Sequence, residues 1–295
     1  MTGKAAELLR QWLNNRLTAE QSVWFETQLQ KIELSNSDRE LHITLGMIPR
    51  KLGRADLSPN AAELADANQL QAGWNPQNWS IDIAARVAVI CQLAEQRPES
   101  FAATVTDLCR NADLAESIAI YSGVCFYPQS DDLDALIGEG LRTNIRSVFE
   151  AIAHHNPYPA TNFDENRWNH MVLKALFIDS TLAPIYGLDK RANAELASIL
   201  CDYAKERRAA GRSVTYELWR CVGPFASGDM LDDLEQAANS KHSAEKHAAL
   251  LALSAAKDPR VKDILAAHSE LHQQISSGSL TWDAIEQQEH KSNAS

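Results

Sequence analysis

The sequence predicts an all-α protein built as an array of antiparallel helix pairs, and three observations carry that prediction. Alanine and leucine supply 43 and 33 of the 295 residues, against 12 glycines and 10 prolines. Both are strong helix formers, and a chain of many short strands needs more turn residues than this. Helix start and stop signals recur from end to end, and no alternating polar–apolar run longer than four residues reads as a strand.

Taken in order, Thr18-Ala-Glu-Gln21 and Ser37-Asp-Arg-Glu40 have the capping-box spacing, in which side chain and backbone satisfy two helix-start donors reciprocally. Ile83, Val87, Ile90 and Ala94 fall on helical steps, as do Trp168, Met171, Val172, Ala175 and Leu176. Leu196, Ile199, Leu200 and Tyr203 mark a further stripe, which Gly211 is placed to end. Asp258-Pro259 reads as an N-cap followed by proline at the first helical position.

Ala112–Tyr121, Arg142–Ala151 and His242–Leu251 share a polar opening and an apolar helical close, and run on to Pro128, Pro157 and Pro259. Stacked pairs of a HEAT- or armadillo-like α-solenoid produce this pattern, because each pair buries its stripe only against its neighbours. Independent alanine-rich amphipathic helices produce it too, and the spacing is irregular, so both readings stay open here. Loop-like Gly53–Asn60 and Gly73-Trp-Asn-Pro76 set off an N-terminal helical cap (1–57) from a main helical region (58–226). Ala226-Ser-Gly-Asp229 opens a C-terminal segment (227–295) whose polar tail after Glu286 is expected to fray.

Charge narrows the function. With 28 basic against 39 acidic residues the net is −11, poorly suited to nucleic acid or to an anionic membrane surface. The densest basic run, Lys205, Arg207, Arg208 and Arg212, is broken by Glu206 and reads as a solvated helix face. Five cysteines form no CxxC and sit mostly in apolar settings. The first twenty residues lack a signal-peptide core, and no run approaches the ~20 apolar residues of a membrane span. A cytoplasmic protein without membrane insertion is the expectation.

No GxSxG, Walker or dinucleotide motif is present, and Gly138-Glu-Gly140 lies inside a helical pattern. His268 and His272 stand four apart, but Glu270 is displaced from the HExxH position, and His154-His155 is not a helical ligand spacing. Neither a metal site nor a cofactor is expected, and no enzyme class is supported.

Two stretches stand out. His154-His-Asn-Pro-Tyr-Pro159, followed by Asn162-Phe-Asp164, is held extended by its prolines. Asn166, Asn169, His170 and Lys174 share a polar face of the helix beyond it. Loop and face together read as the lining of a small-molecule pocket. A structural reading competes, in which Asn156 and Asp164 cap helices while the prolines and aromatics pack the bend. Trp219-Arg-Cys-Val-Gly-Pro-Phe225 is the second stretch: Arg220 is suited to hold an acid group or stack on a ring, or else to serve a helix-end carbonyl or carboxylate of the fold.

Five blocks also resemble the EboA family. They are Asn156-Pro-Tyr-Pro-Ala160, Trp168-Asn-His-Met-Val-Leu-Lys-Ala-Leu-Phe177, Gly187-Leu-Asp-Lys-Arg-Ala-Asn193, Asp202-Tyr-Ala-Lys-Glu-Arg207 and Glu217-Leu-Trp-Arg-Cys-Val-Gly-Pro-Phe225. Trp79, Asp82, Ala85-Arg-Val87 and Arg142-Thr-Asn144 fit the same pattern, which covers about residues 74 to 260. The resemblance implies metabolite traffic: assisting the movement of a natural-product precursor across the inner membrane towards the periplasm. Neighbouring products of the ebo gene cluster resemble a prenyltransferase, a sugar-phosphate cyclase and metal-dependent hydrolases or isomerases. No catalytic residues come with the resemblance.

The combined expectation is a non-catalytic protein that binds the metabolite or a partner of the same cluster, a membrane protein among them, since a soluble chain cannot itself be the pore. Candidate ligand contacts are His155, Asn156, Tyr158, Asp164, Asn169, Lys174 and Arg220. The rival expectations are a pure protein–protein scaffold and an enzyme acting on a sugar- or prenyl-derived precursor.

Overall fold

The computed structural model describes residues 1–35 and 37–293, apart from the side chains of 290, 292 and 293. Its described residues form α-helices, three short 3-10 turns and two isolated β-bridges, with no strand. The all-α expectation holds. The chain divides into two compact units, Met1–Phe163 with Pro184–Tyr186, and Asp164–Ala183 with Gly187 onward.

The first unit contains α1 (Thr2–Asn14), α2 (Ala19–Leu34), α3 (Arg39–Leu52), α4 (Ala61–Leu70), α5 (Ile81–Gln96), α6 (Phe101–Asn111), α7 (Leu114–Ser122), α8 (Asp131–Arg142), α9 (Arg146–Ala153) and α10 (Tyr158–Asn162). Its centre is α5. The stripe read from Ile83, Val87, Ile90 and Ala94 describes only one side of this helix, because Ala84, Ala85, Ala88, Val89, Cys91 and Leu93 are buried as well. Small alanines let neighbouring backbones approach, and α1, α2, α3 and α7 all pack against α5. From α5 onward the packing is layered: α7 lies on both α5 and α9, while α6 lies on α8.

Burial on every side constrains the polar residues of α5. Asp82 and Arg86, one turn apart, pair with each other at 2.9 Å, and Arg86 Nε donates to the Leu45 carbonyl of α3 at 3.2 Å. An aromatic cluster closes the region between α1 and the loop after α4. Trp74 stacks on Trp12 with centroids 6.0 Å apart and meets Phe126 edge-on at 4.7 Å.

The second unit contains α11 (Glu165–Phe177), α12 (Leu188–Arg191), α13 (Ala194–Ala209), α14 (Trp219–Val222), α15 (Asp229–Ala238), α16 (Ser243–Ala255), α17 (Val261–Ala266), α18 (Ser269–Ser276) and α19 (Trp282–Asn293). Here α16 is central and packs on α14, α15, α17, α18 and α19. Gly223 touches its backbone: an added Cβ would sit 2.5 Å from the Ala252 carbonyl oxygen, so only glycine permits this approach.

The local signals fare unevenly. Thr18 and Gln21 form the reciprocal box, at 3.3 and 2.9 Å. The Ser37–Glu40 box does not form, since Asp38 occupies the N-cap position and turns its carboxylate to Arg97 instead. Ser37 Oγ accepts the Arg39 N–H, at 3.2 Å. At the end of α13 the Gly211 and Arg212 amides donate to the Arg208 and Arg207 carbonyls, a Schellman motif. Asp258 caps the turn after it, accepting the Arg260 N–H at 3.0 Å, and α17 begins at Val261, two residues later than expected. The last helix, α19, runs from Trp282 to Asn293, and 294–295 lie outside the described residues.

Candidate functional site

Three of the seven candidates lie in the first unit, on the bend between α9 and α10. Asn156 is 3% exposed and entirely engaged: Oδ1 accepts the Tyr158 N–H at 3.0 Å, and Nδ2 donates to the carbonyls of Ala151 (3.2 Å) and Tyr121 (3.4 Å). It starts α10 and ties the bend to α9 and α7. Tyr158 is buried with its ring edge-on to Phe163 at 5.9 Å. His155 adopts a left-handed backbone, φ 53°. That conformation is held from both sides, because its N–H donates to the Pro184 carbonyl at 2.9 Å and its carbonyl accepts the Asn75 N–H at 3.1 Å. The imidazole is half-buried, and burial holds its pKa below the usual histidine range, so the ring is neutral at pH 7.

The other four lie in the second unit. Asp164 caps α11, Oδ1 accepting the Arg167 N–H at 2.7 Å. Asn169 departs from the polar face assigned to it: Asn166 and His170 are exposed, whereas Asn169 is 1% exposed and exchanges amide hydrogen bonds with Asn193. Lys174 is half-buried, and desolvation lowers its pKa from the ordinary lysine range. Arg220 makes a forked pair with Asp189, both bonds 2.6 Å, and lies over the Trp282 ring at 5.8 Å.

Within this unit α12 links the candidates. Its Asp189 holds Arg220 of α14, and its Arg191 sits over the Trp168 ring of α11 at 4.7 Å. Asn193, just beyond it, holds Asn169 and caps α13 through the Leu196 N–H at 2.8 Å. These three residues were not singled out one by one from the sequence, although all lie inside the block Gly187–Asn193. Glu217 was also missed. It is 8% exposed and accepts the amides of Leu182 and Ala183 at 2.9 and 3.1 Å, while burial raises its pKa.

The basic run is more integrated than a solvated face. Arg208 donates to Glu245 at 3.2 Å and lies over the buried Trp219 ring at 5.3 Å, and Lys205 reaches Asp233 at 3.3 Å. Among the described residues no group of histidine, cysteine or carboxylate side chains is arranged to hold a metal. His268 stands at the start of α18 rather than within a helix shared with His272. The thiols are held protonated by burial, Cys109 up to about 11, Cys201 and Cys221 up to about 12, and Cys91 and Cys125 further still.

This is a helical protein of two units in which four of the seven candidate side chains also cap helices or pair neighbouring segments. Residues 5–223 match the family described as metabolite traffic protein EboA, and the chain belongs to the EboA family. No curated protein and no solved structure matches the chain.

Proposed function

We propose that the chain serves metabolite traffic as a non-catalytic, cytoplasmic binding protein. It holds a natural-product precursor, or a partner encoded in the same gene cluster, without transforming it. The family match over residues 5–223 carries this reading. The cysteine thiols agree with it, since burial keeps all five protonated and none is an activated nucleophile. Candidate cargo contacts are His155, Asn156 and Tyr158 within the first unit and, separately, Asp164, Asn169, Lys174 and Arg220 within the second. No helix among the described residues is long and apolar enough to cross a membrane, so export on this reading passes through a membrane partner.

A HEAT- or armadillo-like stacking of α5 to α9 belongs to the same proposal, supported by the succession α5–α7–α9 in one layer and α6–α8 in the other. A pure scaffold is the second reading. It is favoured by Asn156, Asp164, Asn169 and Arg220 already being engaged within the fold.

Native mass spectrometry of the protein purified from its own host separates these readings. A retained mass of a few hundred daltons, released on denaturation, supports the carrier. A bare chain in stoichiometric complex with cluster proteins supports the scaffold. Conversion of a cluster intermediate by the purified protein overturns both.

A further inference from the structure

We infer that α19 is a detachable strap that holds Arg220 closed in the free chain, and that a cargo or partner taking this guanidinium displaces Trp282. This rests on the reading of Arg220 as a contact and gives that contact a closed state.

The strap lies in the second unit, beyond the family match that ends at residue 223. Trp282, the first residue of α19, presents its ring to Arg220, with the guanidinium carbon 5.8 Å from the ring centroid. Asp189 takes Nε and Nη2 from another side, and the Arg220 side chain is left 24% exposed. An indole face attracts a guanidinium through the ring quadrupole, and at a partly wet site that attraction is weak enough to be exchanged for another partner.

The strap is lightly held. Every residue of α18 stays at least partly exposed, and among the described side chains of α19 only Ile285 is buried, with Leu280 just ahead of it. The helix beneath, α16, buries Ala248, Ala249, Leu250, Ala252 and Leu253. Elements with few buried apolar groups open locally while the core stays shut. The connection permits such an opening: Ser276-Ser-Gly-Ser279 leads from α18 towards α19, and Gly278 sits at φ 74° with open space around it.

Charge acts in both directions where the strap sits. The Asp189 fork raises the Arg220 pKa, and Asp283 of α19 adds to the rise, so this end of the helix is attracted. Burial raises the Glu217 pKa, and the Glu286 carboxylate of α19 adds to that rise. Seating α19 therefore brings two carboxylates towards each other, a repulsion relieved when the helix lifts. A helix drawn to Arg220 and repelled at Glu217 is balanced rather than locked.

Amide hydrogen exchange of the full-length protein, read by peptide mass, tests this together with phenylglyoxal labelling of Arg220. In the unaltered chain, peptides of 280–293 are expected to exchange about tenfold or more faster than those of α16. Trp282→Ala is expected to speed both the exchange of 280–293 and the labelling of Arg220 about threefold or more, with α16 unchanged. Trp282→Leu, which keeps apolar bulk without the aromatic face, is read the same way should the first variant loosen α16. Glu217→Gln keeps an acceptor for the Leu182 and Ala183 amides and is expected to slow exchange of 280–293 at about pH 8, the opposite sign to ordinary destabilisation. Exchange of 280–293 in step with α16, Arg220 labelling unmoved by loss of the ring, or faster exchange in Glu217→Gln overturns the proposal. If all three expectations hold while Arg220→Ala leaves metabolite export intact, the strap stands and Arg220 leaves the candidate contacts.

Discussion

Asn169 of α11 and Asn193 at the start of α13 exchange side-chain hydrogen bonds at 2.9 and 3.3 Å, and Asn169 is almost wholly buried. Asn193 also accepts the Leu196 N–H at 2.8 Å, so one amide pair locks two helices together and caps the second. Asn169→Ala leaves Asn193 without its partner and is expected to cost about 1–3 kcal/mol. Asn193→Ala is expected to cost more, because a cap worth about 1 kcal/mol is lost as well. Urea unfolding of both single variants and the double variant measures the coupling, and strict additivity would contradict it.

Arg220 and Asp189 form the opposite kind of pair. Their side chains are 24% and 60% exposed, so solvent screens the interaction. Arg220→Ala is expected to change stability by less than about 1 kcal/mol. That makes it the informative functional variant: if stability holds and metabolite export in the host fails, Arg220 has a role beyond the fold. Unchanged export removes it from the candidate contacts.

Arg86 and Asp82 are shielded to 2% and 4% side-chain exposure, and the further carboxylate near Arg86, Glu116, is 3.9 Å away and partly solvated, so breaking the pair leaves a buried charge poorly compensated. Arg86→Met or Asp82→Leu alone is expected to destabilise by about 3–5 kcal/mol. The double variant is expected to recover most of that loss, since it removes both charges from the core. A double variant as unstable as the worse single variant would refute this account.

Acid is expected to weaken the first unit through His155 and the second through His247. Burial lowers both histidines in the folded chain, against an ordinary value of 6.5. The unfolded chain therefore binds protons first as pH falls below 6.5, and folded stability drops in that window while staying flat above it. His155→Asn, which tolerates the φ of 53°, is expected to flatten part of the acid slope in thermal unfolding. Glu217 runs the other way. Its pKa is raised, so its contribution is fullest in acid and declines as pH rises through that value, and Glu217→Gln removes this share while keeping an acceptor for the two amides.

Features that depend on a few consecutive residues were legible in the sequence: the helical class, the Thr18 box, the Gly211 stop and the buried stripe of α11. Asn60 with Glu63 and Asp113 with Glu116 form boxes of the same spacing, with an amide or a carboxylate in place of the hydroxyl cap. Helical periodicity identifies a face but not the number of neighbours around a helix, so α5 looked one-sided and Asn169 looked exposed. The alternative raised for Asn156, Asp164 and Arg220 in the sequence, caps and a carboxylate partner, describes bonds they make. The identity of those partners was not local. Arg220 meets Asp189 from 31 residues away, Glu217 meets Leu182 from 35, and Arg86 meets Leu45 from 41. Capping and periodicity act over one or two helical turns and are written in adjacent residues. Which polar group answers a buried charge or an open amide is decided only when packing brings distant helices together and removes water from both.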